Sequence, residues 1–242
     1  MPIKPVQMTQ HELFSTPIWR VAAPEIARHK KTMLADLEQK WAAGDFEKHG
    51  HGYGYQSKNE LFSPQVMTDQ PYLKLIRDKF IAACRQILVA RHGIAKQMPF
   101  DIYAVQGWYL IQTAEEWVDG PWHNHHPATL SGCYYLQIPR YKEANEGLLM
   151  FQRSQPPTDI FVNHQSGVVP AEGQFVIFPS YLMHRPAPCP SADKWRVTVA
   201  MDCFVHWHKR YSEPVRQVGS EEWDEALKQS FNPGLAPKDG LG

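Results

Sequence analysis

Two amphipathic segments dominate the hydrophobic pattern of the first hundred residues. From Pro24 to about Ala43, apolar residues recur every three or four positions among charged neighbours, as on one face of a helix that begins at a proline. A second segment with this period runs from about Pro71 to His92, and Gly93 follows it as a C-terminal stop. The pattern predicts two helices whose apolar faces pack on a sheet.

Two other stretches have no long amphipathic pattern, one between the two predicted helices and one at the C-terminal end. The segment from His49 to Phe62, HGHGYGYQSKNELF, is rich in glycine and aromatic residues, which is typical of a loop that folds over the mouth of a pocket. After Val205, EEWDEALKQ predicts a short helix, and the glycine- and proline-rich end NPGLAPKDGLG predicts a frayed terminus.

After Pro99 the pattern changes to short segments rich in β-branched and aromatic residues, separated by glycine, proline and polar turns. The predicted strands are DIYAVQGWYLIQ, LSGCYYLQIP, GLLMFQ, FVNHQSGVVP, GQFVIFP and WRVTVAMDCFV. This succession predicts a mainly β protein, either a barrel or a sandwich. Because no linker composition divides the chain, we expect one domain over residues 1–242, with a helical and loop part (1–98), a β core (99–206) and a C-terminal extension (207–242).

Composition excludes several classes of partner. Lys and Arg together number 25, as do Asp and Glu, so no net field attracts nucleic acid or an acidic membrane surface. No apolar run reaches the 18 or so residues that a membrane span needs. The chain opens without a secretory signal pattern, and its four cysteines form no CxxC pair, so we expect free thiols and a cytoplasmic location.

The histidines of the segment HNHH are the first candidate for chemistry. Side chains two apart on a strand point to the same side, so His123 and His125 would project together as a two-ligand platform for a metal. A shift of one residue in register would turn His126 inward instead of His125, and that alternative stays open. Imidazole nitrogens suit Fe, Zn, Ni and Cu, and a third ligand from a distant strand would complete one face.

The natural third ligand is His184. It ends the segment EGQFVIFPSYLMH, in which Gly173 predicts a turn, Gln174 to Phe178 a buried strand, and Pro179 a break. A histidine after such a break, at a strand end, can point into the mouth of a barrel.

A candidate anion site follows on the last predicted strand. The period of two in WRVTVAMD puts Arg196, Thr198, Ala200 and Asp202 on one face. A buried guanidinium needs an anion, and Arg196 with the Thr198 hydroxyl describes a clamp for a carboxylate. A dicarboxylate that chelates the metal at one end and pairs with Arg196 at the other would suit this arrangement. Tyr135 is a further candidate to bind this molecule, with aromatic core packing as the alternative.

The order of these features resembles the Fe(II)/2-oxoglutarate oxygenases of the double-stranded β-helix fold. The segments HNHHPATLSGCYYLQIP, EGQFVIFPSYLMH and WRVTVAMDCF are similar to a bacterial and phage branch of that superfamily. The similarity extends from about Trp108 to Phe204, and LFSTPIW and GYQSKNELF in the N-terminal half also resemble that branch. The resemblance implies a jelly-roll or cupin-like barrel with the N-terminal helices packed on one sheet.

The resemblance also implies roles for single residues. His123 and His184 fall on the two metal histidines of the superfamily, and Arg196 with Thr198 falls on the Arg-x-Ser type of 2-oxoglutarate anchor. His125 is a departure, because the superfamily usually has Asp or Glu there. An all-histidine face lacks one negative charge, which bound 2-oxoglutarate would have to compensate, and it makes a metal other than iron more credible. The carboxylates that could supply this charge, Asp119 and Asp202, are both interpreted as structural.

The leading hypothesis is therefore an Fe(II)- and 2-oxoglutarate-dependent dioxygenase that hydroxylates a C–H bond of a small molecule or amino-acid derivative, with O2 as co-reactant. Expected partners exclude nucleic acid and membranes, and a homodimer is left open. A cupin-like three-histidine dioxygenase or isomerase that does not use 2-oxoglutarate is the first alternative. A non-catalytic metal-binding barrel is the second.

Overall fold

The computed structural model describes residues 16–48, 54–92, 100–115, 120–153 and 164–207. Within these ranges the chain forms four helices: α1 (Pro24–Ala27), α2 (Lys30–Ala43), α3 (Pro64–Asp69) and α4 (Pro71–His92). The same ranges hold ten strands: β1 (Trp19–Ala22), β2 (Glu47–Lys48), β3 (Tyr55–Gln56), β4 (Phe100–Gln112), β5 (Leu130–Gln137), β6 (Leu149–Gln152), β7 (Gln165–Val168), β8 (Gln174–Pro179), β9 (Met183–Pro186) and β10 (Arg196–Trp207). The predicted mainly β class with helices before the β core is confirmed.

The strands form two antiparallel sheets. The large sheet has the order β1-β8-β5-β10-β4-β3-β2, and the small sheet has the order β7-β6-β9. Strand β10 is hydrogen-bonded along its length to β4 on one side and to β5 on the other. Side chains of β10 therefore have neighbours on both sides, which restricts how far they can move.

Alternation along the central strands gives the large sheet two different faces. On one face, apolar side chains share a core with the helices; they are Val197, Val199, Met201 and Cys203 of β10, Leu130, Tyr134 and Leu136 of β5, and Phe175 and Ile177 of β8. The opposite face of β10 carries Arg196, Thr198, Ala200 and Asp202, all of which line a cavity. The period of two read from the sequence predicted this division.

The helices cover the first of these faces. Helix α4 spans the predicted residues and buries Leu73, Ile76 and Phe80 completely. The helix predicted from Pro24 to Ala43 is instead two helices, because the amide of His29 bonds the carbonyl of Ile26, three residues back, at 2.9 Å and tightens the turn there. Helix α3 was not predicted from the sequence.

A second, smaller core lies on the opposite side of the large sheet, between it and the small sheet. It consists of Tyr135, Leu149, Phe151, Val168, Val176 and Phe178. These side chains come from β5 and β8 of the large sheet and from β6 and β7 of the small one. Burial of this apolar surface holds the two sheets together beside the cavity.

The structure describes only part of the predicted loop and none of the predicted C-terminal helix. Of the predicted loop at 49–62, residues 54–62 are described, and they include β3, which extends the large sheet next to β4. The predicted helix EEWDEALKQ and the terminal segment lie outside the described residues. The four cysteines, all within described ranges, form no disulfide. Among the described helices, none is both long enough and apolar enough to cross a membrane.

Gly132 on β5 lies against the ring of Phe80 on α4. A Cβ atom added at position 132 would lie 2.7 Å from Cε2 of Phe80 and 3.3 Å from the carbonyl oxygen of Val176. Phe80 is fully buried, so its ring has little room to shift. We expect Gly132→Ala to lower the free energy of unfolding by about 1–3 kcal/mol, as measured by urea denaturation. Adding Phe80→Leu should recover part of this loss; a Gly132→Ala protein as stable as the wild type would contradict the close packing.

Candidate metal centre

The HNH segment is extended but is not part of a regular strand. His123 forms an isolated antiparallel bridge with His184, with N–H···O distances of 3.1 and 2.9 Å in the two directions. The amide of His125 donates to the carbonyl oxygen of Ser180 at 2.9 Å. These bonds keep the segment extended, so the rings of His123 and His125 lie on one side, with centroids 5.2 Å apart.

His184 lies within β9, a strand that was not predicted. Pro179 is the last residue of β8, and a turn closed by the Leu182 amide on the Pro179 carbonyl leads into β9. His184 thus follows the predicted break at Pro179, but it lies on an additional strand, β9, which pairs with β6 of the small sheet. The His184 ring is 4 % exposed and lies 4.6 Å, centroid to centroid, from the ring of Phe178.

The fold brings His123, His125 and His184 into one cluster. One ring nitrogen of each lies within 4.8 Å of the corresponding nitrogens of the other two. His126 does not belong to this cluster; it is exposed, and its backbone amide donates to Oδ1 of Asn124 at 3.2 Å. The structure thus groups His125, and not its neighbour, with the other two histidines.

Hydrogen bonds define which nitrogen of each ring faces the centre of the cluster. Nδ1 of His123 lies 3.0 Å from the carbonyl oxygen of Pro121, and Nδ1 of His184 lies 2.9 Å from that of Leu182. Nδ1 of His125 lies 2.7 and 2.9 Å from the two carboxylate oxygens of Asp202. All these oxygens are acceptors, so each Nδ1 carries the hydrogen and each Nε2 presents its lone pair to the cluster.

Charge also favours metal binding by these rings. Burial, together with the neighbouring His123 and His125, lowers the pKa of His184 to about 3. Its imidazole is therefore neutral, which is the form that coordinates metals. Three imidazoles with Nε2 turned to a common point fit a divalent transition metal.

A buried arginine lies at another wall of the same cavity. Arg196 is 2 % exposed, and its Nη1 donates to Oε1 of Gln112, its partner across the β10–β4 pair. Within the described residues, Nε of Arg196, Nε2 of Gln112 and the hydroxyl of Tyr135 have no hydrogen-bond partner. Such buried donors cost free energy unless an acceptor reaches them. A carboxylate bound beside Arg196 could accept hydrogen bonds from these donors.

The other two predicted cosubstrate residues lie beside Arg196. The guanidinium carbon of Arg196 is 5.4 Å from the centre of the Tyr135 ring. Burial raises the pKa of Tyr135, so the phenol stays protonated and able to donate. The Thr198 hydroxyl lines the cavity but donates to the carbonyl oxygen of Leu110 at 3.3 Å, where the sequence predicted donation to a carboxylate.

One cavity of about 420 Å³ is lined both by the three clustered histidines and by the predicted cosubstrate residues Arg196, Thr198 and Tyr135. Its inner wall includes the buried Arg196, Tyr135 and His184. Its outer, more exposed lining is rich in side-chain amides, namely Gln56, Asn59, Gln106 and Asn124. Gln56 and Asn59 come from the segment predicted to fold over a pocket mouth.

Sequence reasoning did not predict the partner of Asp202 and overlooked Gln112. Asp202 was interpreted as structural, yet its carboxylate accepts from the ring of His125. The sequence feature that could have indicated this role is the alternation along β10, which puts Asp202 on the same face as Arg196. Gln112 becomes visible only when the pairing of β10 with β4 is known. Asp119 lies outside the described residues.

The matching family model covers the segment that builds this site. Residues 106–202 match the model described as "Putative 2OG-Fe(II) oxygenase". This segment is similar to the 2OG-Fe(II) oxygenase family. The resemblance inferred from the sequence is confirmed, and with it the assignment to the oxidoreductases. The description of the family names the predicted metal and the predicted cosubstrate.

Solved structures share the oxygenase fold at low sequence identity. A prolyl-4-hydroxylase from Pseudomonas putida is 14% identical with a TM-score of 0.54, and the match covers 78% of this chain and 93% of that one. HygX from Streptomyces hygroscopicus, solved with nickel and 2-oxoglutarate bound, is 12% identical with a TM-score of 0.51 and coverages of 78% and 83%. The alpha ketoglutarate dependent epimerase SnoN from nogalamycin biosynthesis is 13% identical with a TM-score of 0.53 and coverages of 84% and 89%.

At these identities the likeness shows the fold, and it confirms the predicted double-stranded β-helix. No curated protein matches the chain by sequence.

Proposed function

We propose that this chain is an Fe(II)- and 2-oxoglutarate-dependent oxygenase that hydroxylates a C–H bond of a small molecule or amino-acid derivative and releases succinate and CO2. The observation that carries the proposal is the presence, in one cavity, of three convergent histidine nitrogens and a buried arginine with an unsatisfied donor. His123, His125 and His184 would hold the metal. Arg196, Thr198 and Tyr135 would bind the cosubstrate.

When bound, Fe(II) and 2-oxoglutarate would supply the oxidation of the substrate by O2. The protein would contribute binding, orientation and exclusion of water. Arg196 and Tyr135 would fix one carboxylate through the donors that have no partner among the described residues. Phe178 and Leu149, which also line the cavity, would keep the space around His184 apolar.

The mouth of the cavity supports a small substrate with hydrogen-bonding groups. Four amide side chains line it, and each offers both a donor and an acceptor without a net charge. Of the described residues that line the cavity, Arg196 and Asp202 are the only ones with an ionisable guanidinium, amine or carboxylate. A neutral amide or polyhydroxylated molecule, or an amino-acid derivative, fits this lining better than a polyanion.

Titration of the metal-free protein with Fe(II) and then 2-oxoglutarate under anaerobic conditions tests the proposal. We expect a visible charge-transfer absorption band that requires both additions, because the chelate forms only when metal and cosubstrate share the site. Admission of O2 should then produce succinate. The His126→Ala protein is a matched control that should show the same band.

Absence of the band, together with no thermal stabilisation by Fe(II), would refute the proposal. Products should be scored for hydroxylation and for other oxidative outcomes separately, since SnoN, with the same fold, is described as an epimerase.

A second candidate function follows from the composition of the metal cluster. No carboxylate belongs to the described ligand group, which is the donor set expected of a cupin-like three-histidine dioxygenase or isomerase. Such an enzyme would oxidise or isomerise its substrate with metal alone. Substrate turnover that is independent of 2-oxoglutarate would favour it over the first proposal.

A further inference from the structure

The carboxylate of Asp202 lies directly behind one of the three histidines. Its two oxygens are 2.7 and 2.9 Å from Nδ1 of His125, on the side of the ring away from the lone pair of Nε2. An ionised carboxylate only accepts hydrogen bonds, so this contact requires the Nδ1–H tautomer of His125. The tautomer leaves Nε2 as the atom that faces the cluster.

Asp202 is itself held in place from more than one side. The hydroxyl of Ser131 donates to its Oδ1 at 2.6 Å, and Ser131 is the residue opposite Asp202 in the β10–β5 pair. Asp202 is 6 % exposed and Ser131 is 1 % exposed. The ring of Trp108 lies 5.4 Å from that of His125, centroid to centroid. A carboxylate so confined fixes the orientation of the imidazole as well as its tautomer.

The three histidines differ in what lies behind them. Nδ1 of His123 and Nδ1 of His184 meet backbone carbonyl oxygens, which carry no net charge. Among the described residues that line the cavity, the one carboxylate is that of Asp202, and it contacts His125. A carboxylate hydrogen-bonded to a histidine ligand raises the basicity of the ring and strengthens its bond to a metal.

We propose that Asp202 is a positioning residue of the metal centre: it fixes His125 for coordination through Nε2 and supplies, through the imidazole, negative charge that a carboxylate ligand would otherwise bring. The inference rests on the proposed metal-binding function of the three histidines. A purely structural pair, in which Asp202 only anchors the segment around His125, is the competing explanation.

Two substitutions separate geometry from charge. Asp202→Asn retains an oxygen that accepts from His125 and a polar contact with Ser131, but it removes the charge. Asp202→Ala removes the charge and also the oxygen that accepts from His125. Asp78→Asn, at a half-buried position of α4 with an ion pair to Lys74, is the matched control for the loss of one carboxylate.

Metal affinity is measured by anaerobic titration with Fe(II) and, as a spectroscopic probe, with Co(II). We expect Asp202→Asn to weaken binding of both metals by about 10- to 100-fold, the usual cost of losing a partner of a ligand, and Asp202→Ala to weaken it at least as much. The thermal midpoint of metal-free Asp202→Asn should stay close to that of the wild type, and Asp78→Asn should bind both metals normally. In a His125→Ala background, Asp202→Asn should cause no further loss.

A second measurement reads the tautomer without metal. In protein with ¹⁵N-labelled histidine, the NMR signals of His125 should report hydrogen on Nδ1 in the wild type and a shift toward Nε2–H in Asp202→Ala. Asp202→Asn affinities within about threefold of the wild type, or an unchanged tautomer in Asp202→Ala, would overturn the inference while leaving the metal site intact. A wild-type protein that binds neither metal would overturn both this inference and the proposed function.

Discussion

A His184→Ala protein is expected to lose Fe(II) binding by more than about 100-fold, since the loss of a ligand should exceed the 10- to 100-fold cost of losing an outer partner. Succinate formation should fall with it. His184 supplies its nitrogen from a buried position on β9, next to Phe178, and no other histidine of the described chain belongs to the cluster beyond His123 and His125. Metal content after dialysis and anaerobic titration would measure the effect.

The His126→Ala protein provides the control for this experiment. His126 is the histidine adjacent to the cluster in sequence, lies exposed and lines the same cavity, so its replacement changes the local composition without removing a proposed ligand. It should bind Fe(II) within a few-fold of the wild type. If His126→Ala lost the metal and His125→Ala kept it, the register alternative left open by the sequence would be correct.

Replacing Arg196 should affect the cosubstrate and spare the metal. We expect Arg196→Ala to weaken 2-oxoglutarate binding by about 2–5 kcal/mol, or roughly 30- to several-thousand-fold, because a buried carboxylate would lose its charged partner. Arg196→Lys should give a smaller loss, since the lysine keeps the charge but cannot form the two-pronged contact. Fe(II) affinity should change little, because Arg196 is not one of the three clustered residues.

Dependence of the charge-transfer band and of succinate formation on 2-oxoglutarate concentration would measure the Arg196 effect. Arg140→Ala, at an exposed position, serves as the control for loss of an arginine. Circular dichroism and thermal unfolding would show whether each variant is folded. An Arg196→Ala enzyme with full activity and an unchanged 2-oxoglutarate requirement would exclude the proposed clamp and favour the three-histidine alternative.

Local periodicity was enough to predict the elements that carry the core. The apolar stripe of α4 predicted its full span, because a 22-residue helix with one buried face leaves a clear period in the sequence. The alternation in β10 likewise predicted which side chains share a face with Arg196. Both patterns depend on neighbours within one element, which is the information that a single sequence contains.

Features that depend on distant contacts were not predictable in this way. Strand β9 is four residues long, and it exists because it pairs with β6, so its sequence has no period to read. Gln112 meets Arg196 across 84 positions, and Asp202 meets His125 across 77. The face of Asp202 was evident from alternation, but its partner was not, because that partner lies on a separate segment.

The reciprocal backbone bonds between His123 and His184 have a kinetic consequence. His184 lies on β9, an edge strand of the small sheet, whereas His123 and His125 precede β5 of the large sheet. A metal held by all three would therefore be coordinated from both sheets at once. Its residence time would depend in part on how often this edge opens locally, because separation of the backbone pair would move His184 away from the other two ligands.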